Sequence, residues 1–115
     1  PGGVGLNQWA LGGPWRVGSQ SITSAGPGAV IEGGIQARNA YLVMTSTDGL
    51  PRRGRVLLGG KPIPARYAGT DVGPGGYFTV RGERLYSLVR LPHDATFLLK
   101  VELPPGVSAY DFTFG

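Results

Sequence analysis

The 115-residue chain has no cysteine, one histidine, and only seven carboxylates against eleven lysines and arginines. Without cysteine it forms no disulfide and performs no thiol chemistry, and its composition fits a reducing or an oxidising compartment equally. A hydrolase triad needs a histidine held beside a nucleophile, but His93 sits in the Pro92-His93-Asp94 turn. Zinc asks for three or four nitrogen or sulfur ligands, which this sequence cannot assemble from histidine and cysteine. Calcium takes oxygens, and Asp71 or Asp111 with backbone carbonyls supply only some of them. A glycosidase needs two carboxylates across the scissile bond, and no pair is marked out beyond a nominal Asp71 with Glu83. The run Gly73-Pro74-Gly75-Gly76 leads into a strand, so it lacks the helix N-terminus of a phosphate cradle. The chain reads as a non-catalytic domain with no metal and no other cofactor.

No apolar run approaches the roughly 20 residues that span a bilayer, so direct membrane insertion is not expected. The sequence opens on Pro1-Gly2-Gly3 without an initiator methionine or a signal peptide, and reads as a piece of a longer or processed protein.

Glycine (21) and proline (10) are abundant, yet 41% of residues are hydrophobic, with aromatics spread along the chain. That is enough to bury a core and too punctuated for long helices, so many short strands joined by tight turns are expected. The net charge of +4 favours anionic partners mildly. Its densest cluster, Arg52, Arg53 and Arg55, follows a turn at Asp48-Gly49 and reads as solvated. No aromatic residues interleave with it in sequence, so nucleic acid is not an expected partner.

Residues 1–6 read as a linker or lead-in, and 7–115 as a single β-sandwich of about eight to eleven short strands. Asn7–Leu11 carries Trp9, and Gly12-Gly13-Pro14 turns the chain into Trp15. The two tryptophans serve either as core anchors or as an aromatic platform for a sugar. Ala29–Ala37 is interrupted by Gly33-Gly34, a sign of a bulge, a bend or two short strands. Tyr41–Ser46 is a strand. Gly59-Gly60 marks a hairpin whose second arm, with Pro62 and Pro64, belongs on an edge. Toward the C-terminus, Phe97, Leu99, Val101 and Leu103 share one face, and Tyr110, Phe112 and Phe114 another.

Candidate recognition residues centre on Arg84–Leu91, a β-rich stretch ending at Pro92. Simple alternation places Arg84, Tyr86, Leu88 and Arg90 on one face, and Leu85, Ser87, Val89 and Leu91 on the other. Two guanidiniums around a phenol either hold a polar ligand or pair with carboxylates at the sheet edge. Asp71 and Tyr77, on the neighbouring loop, complete the expected ligand-binding set. Such a mixture suits sugars and protein interfaces alike.

Several signals then fall in a familiar order: Asn7-Gln8-Trp9-Ala10-Leu11 with Gly13 and Trp15, Ala40–Val43, Gly69–Val72, Arg84–Arg90, and Ala109–Gly115. In this the chain resembles the C-terminal domain of DipZ-type proteins, a membrane-anchored family of cytochrome c biogenesis and thioredoxin-like (TlpA-like) proteins. The resemblance implies a jelly-roll β-sandwich of the carbohydrate-binding-module, galactose-binding-like kind. It also implies an extracytoplasmic location and a thioredoxin-like domain of the same parent as neighbour and partner. Carbohydrate or cell-envelope polymer is the ligand it suggests, with a structural or docking role beside the thioredoxin-like domain as the alternative. Two positions depart from the family pattern: Gly59-Gly60 replaces an Asp-Gly turn, and no aspartate follows Val72.

Overall fold

In two stretches of the chain, β structure runs much further than the local sequence signals suggest. The computed structural model describes residues 9–115 and the backbone of residues 2–4. Among the described residues there are ten strands. They are β1 (Gly2–Val4), β2 (Ala10–Gly12), β3 (Trp15–Val17), β4 (Ile22–Ser24), β5 (Ala29–Ser46), β6 (Arg52–Leu58), β7 (Lys61–Pro62), β8 (Tyr77–Val80), β9 (Arg84–Leu103) and β10 (Val107–Phe114). Short 3-10 turns lie at Ala65–Tyr67 and Pro74–Gly76.

β5 and β9 are the frame. They run antiparallel from Ala29 opposite Leu103 to Met44 opposite Arg84. The first half of β5 also pairs with β2, and its second half with β10. β6 joins the second half of β9 and carries β7 and β8, while β4 and β1 join β10 and β3 extends β4. The long strands thus serve both layers of an antiparallel jelly-roll sandwich, bending from one to the other where their register shifts. Ile31, Leu42, Met44, Val56, Phe78, Leu99 and Phe112 are among the side chains of the buried cluster between the layers.

Three expectations are corrected by this arrangement. Gly33 and Gly34 do not split a strand: both are paired, opposite Leu99 and Leu98. Gly33 is needed because a Cβ there would lie 2.4 Å from the Trp9 ring. Pro92 does not end its strand either. Ala37 pairs with Ala95 and Asn39 with Arg90, so four β9 residues bow out opposite Arg38. Pro92 lies in that excursion, where no ladder N–H is required. Finally, Gly2–Val4 pairs with Val4 opposite Phe112 rather than trailing as a lead-in, while Asn7 and Gln8 fall outside the described residues.

The expected hairpin at Gly59-Gly60 is present, with Leu58 opposite Lys61 and Pro62 on the outermost strand. Leu99, Val101 and Leu103 are buried as their alternation predicts. In β10 the alternation breaks at a bulge between Ala109 and Asp111. Ala109 therefore turns inward with Phe112, and Tyr110 is left half-exposed.

Candidate functional site

A bulge also redraws the face predicted for Arg84–Leu91. Ala40 pairs with Val89 but Tyr41 pairs with Ser87, leaving Leu88 as an extra residue. Leu88 and Val89 are consequently both buried, and the alternation reverses between them. Arg90 leaves the face that carries Arg84 and Tyr86. The expected floor of Arg84, Tyr86 and Arg90 does not form.

Tyr86 is 1% exposed. Its hydroxyl donates to the Gly82 carbonyl at 2.7 Å and accepts from the Arg81 N–H at 3.0 Å. It ties the turn before β9 to the core and offers no stacking surface to a ligand.

Arg84 and Asp71 do meet. The Arg84 guanidinium donates to Asp71 Oδ1 at 2.5 Å, and the Ser87 N–H donates to Oδ2 at 2.7 Å. The loop reaches the β9 edge because Gly69 has no side chain; a Cβ there would lie 2.3 Å from the Ser87 carbonyl oxygen. The Gly69 N–H donates to Leu88 O, and the Asp71 N–H to Ser87 O. Burial pushes the Asp71 carboxyl upward in pKa, but the Arg84 hydrogen bond, the Ser87 N–H and the Arg84 charge together hold it below its ordinary 3.8. Arg84 is raised in turn, chiefly by the Asp71 hydrogen bond. These two charges satisfy each other, the edge-pairing alternative noted for the arginines.

Neither tryptophan presents an open platform. Trp9 is buried, stacked on Phe112 at a centroid distance of 4.1 Å and followed by Phe114. Trp15 is half-buried against the core, with its Nε1–H donating to Gly12 O at 2.8 Å.

Tyr77 stands elsewhere, in company the sequence did not announce. It is the first residue of β8 and lies opposite Arg55 of β6, which lies opposite Glu102 of β9, which lies opposite Val30 of β5. Cross-strand partners share a face, so these four side chains form one row across the outer surface of the sheet. The Arg53 and Arg55 guanidinium carbons lie 3.8 and 4.5 Å from the centre of the Tyr77 ring. Arg55 Nε also donates to Gly75 O at 2.9 Å. The row borders a cleft of about 370 Å³, walled on its far side by Pro27, Gly28, Pro104 and Pro105. The basic cluster read as a solvated turn is thus backed by an aromatic ring from the next strand. Arg52 alone meets the turn, pairing with Asp48.

The five expected ligand-binding residues therefore occupy three places: Asp71, Arg84 and Tyr86 at the start of β9, Tyr77 on the outer sheet face, and Arg90 beside Arg38 and Arg66. No three histidine, aspartate or glutamate side chains converge among the described residues.

Comparison with known proteins agrees with the fold and the sequence resemblance. Protein DipZ of Mycobacterium bovis (strain ATCC BAA-935 / AF2122/97) is 30% identical over 115 residues, a match covering 100% of this chain and 14% of DipZ. The chain thus spans about one seventh of that relative's length. A family two carbohydrate esterase from Cellvibrio japonicus superposes with a TM-score of 0.74 at 11% identity, over 97% of this chain and 32% of the esterase. The carbohydrate-binding module CBM36, solved with calcium and xylotriose, superposes with a TM-score of 0.61 at 11% identity, over 96% of each chain. At such identities the likeness is one of fold. The sequence model of the thioredoxin like C-terminal domain matches residues 1–115, and the chain belongs to that family.

Proposed function

We propose that this domain is a non-catalytic accessory module that binds carbohydrate or cell-envelope polymer through the outer sheet face around Tyr77. In this reading it is carried by an extracytoplasmic, membrane-anchored parent beside a thioredoxin-like domain. The supporting observation is the row Tyr77–Arg55–Glu102 with Arg53 over the ring, set in an open cleft on rigid strands. Arg53 and Arg55 donate to hydroxyl or carboxylate oxygens, Glu102 accepts from hydroxyls, and the Tyr77 ring gives a sugar an apolar face. Arg53 is exposed and makes no ion pair among the described residues, so an incoming sugar displaces it from the ring at a cost of about 0.5–1 kcal/mol.

Arg84, Asp71 and Tyr86 serve in this account as the brace that holds the loop on β9. A glycan array that includes acidic envelope polysaccharides tests the reading, with Tyr77→Ala and Arg53→Gln/Arg55→Gln as controls. Selective binding abolished by both variants is expected. Silence across the array, or binding that survives both variants, contradicts it.

A further inference from the structure

Three arginines from three separate elements meet at one cleft on another part of the surface. Arg38 comes from the bend in β5, Arg66 from the Ala65–Tyr67 turn, and Arg90 from β9. With Tyr67, Leu91 and Pro92 they line a hollow of about 450 Å³. The four-residue excursion of β9 opposite Arg38 shapes this hollow, since Leu91 and Pro92 belong to it.

No carboxylate side chain lines this cleft, and the Gly115 backbone oxygen beside it accepts from the Arg38 and Asn39 N–H groups. The ion pairs among the described residues are Arg52–Asp48 and Arg84–Asp71. Two of the three arginines are nonetheless positioned. Arg38 Nε donates to the Leu91 carbonyl at 3.0 Å, and the Arg66 guanidinium carbon lies 4.7 Å from the centre of the Tyr67 ring. Like charges gathered in one place repel one another, and an anion that enters between them relieves that repulsion.

A second, apolar hollow of about 190 Å³ adjoins the first and shares Tyr67, Leu91 and Pro92 with it. Leu58, Ala95 and Phe97 supply its other apolar walls, and His93 completes the lining. It is smaller than the 300–1,000 Å³ typical of whole-ligand pockets, and suits a single apolar side chain. His93 and the Tyr67 phenol are its only polar side chains, so most hydroxyls of a sugar entering it are left without a partner.

We infer that the Arg38–Arg66–Arg90 cleft docks an acidic peptide segment that carries one apolar side chain beside its carboxylates. The charges orient the segment and the Leu58–Phe97 hollow selects the apolar residue. This site is separate from the Tyr77 face and stands or falls independently of it.

Fluorescence anisotropy with the 115-residue chain tests the inference. The probes are a labelled Gly-Glu-Glu-Leu-Glu-Glu-Gly peptide and its counterpart with serine for leucine, with polygalacturonate as an acidic competitor that has no apolar side chain. Arg66 and Arg90 are both exposed, so Arg66→Gln/Arg90→Gln leaves the core intact, and circular dichroism verifies its fold. The leucine peptide is expected to bind saturably, with Kd raised roughly tenfold in the double variant and severalfold by the serine replacement. Tyr77→Ala is expected to leave this binding unchanged. Equal binding of the leucine and serine peptides, no loss in the double variant, or displacement by polygalacturonate as effective per charge as by unlabelled peptide overturns the inference.

Discussion

The Arg53 guanidinium carbon lies 3.8 Å from the centre of the Tyr77 ring, although 24 positions separate the two in sequence. Antiparallel pairing of β6 with β8 brings them together. Tyr77 faces outward while Phe78 and Val80 of the same strand are buried, so its ring packs at the surface and not in the core. Tyr77→Leu should therefore change unfolding free energy by no more than about 1 kcal/mol, the scale of an exposed cation–π contact. Phe78→Ala should cost roughly 3–5 kcal/mol. Urea titrations of the two variants provide the check.

At the start of β9, Asp71 is a structural carboxylate. Its folded-state pKa is below its ordinary 3.8, so its contribution to stability is present above that value and lost as the pH falls through the lower folded value. In that window the unfolded chain binds more protons than the folded one. Acid melting curves of the native chain should steepen below about pH 4, and Asp71→Asn should flatten that part of the profile. At neutral pH, Asp71→Asn should destabilise by about 1–2 kcal/mol, less than a buried charge-assisted bond because Arg84 is largely exposed.

Tyr86 separates the structural account of this strand from a ligand-binding one. Tyr86→Phe removes a hydroxyl that donates to Gly82 O and accepts from the Arg81 N–H. A loss of roughly 1–2 kcal/mol is expected, with polysaccharide affinity unchanged. Calorimetric melting beside a binding titration reads both quantities on one sample.

Gly33→Ala places a methyl group 2.4 Å from the Trp9 ring in a stacked cluster with Phe112 and Phe114. The ring must shift, and a destabilisation of about 1–3 kcal/mol is expected. Red-shifted tryptophan emission should accompany it, because Trp9 is 7% exposed in the native packing.

Where a local signal coincided with its tertiary outcome, the sequence was readable. The Gly59-Gly60 turn, Pro62 on the outer arm and the alternation of Leu99, Val101 and Leu103 all act within one hairpin or strand, while Pro64 lies beyond the arm and leads into the 3-10 turn. The bulges at Leu88 and Tyr110 left no such trace. One extra residue reverses the alternation across it, so Arg90 and Ala109 lie on faces that simple alternation denies them. Pro92 misled for a related reason, because proline excludes a ladder bond and not a strand that bows away from its partner.

Of the candidate site only Tyr77 stood out in the sequence, where Arg53 and Arg55 read as part of a solvated turn. Arg53, Arg55 and Glu102 lie on two strands and Tyr77 on a third, and pairing register alone brings them into one row. The usable signal was the outward parity of Lys100 and Glu102 on a strand whose other face is apolar. Asp71, expected with Tyr77 on the loop beside the Arg84 strand, instead pairs with Arg84 itself, and Tyr77 lies elsewhere.

The most direct test is to titrate the domain with the polysaccharide selected on the array and compare the native chain with Tyr77→Ala and Arg84→Ala. If recognition lies on the outer sheet face, Tyr77→Ala should weaken binding by at least about 2 kcal/mol, the scale of a recognition hot spot, while Arg84→Ala leaves it within about twofold. Full affinity in Tyr77→Ala together with loss in Arg84→Ala would return the site to the start of β9 and contradict the account.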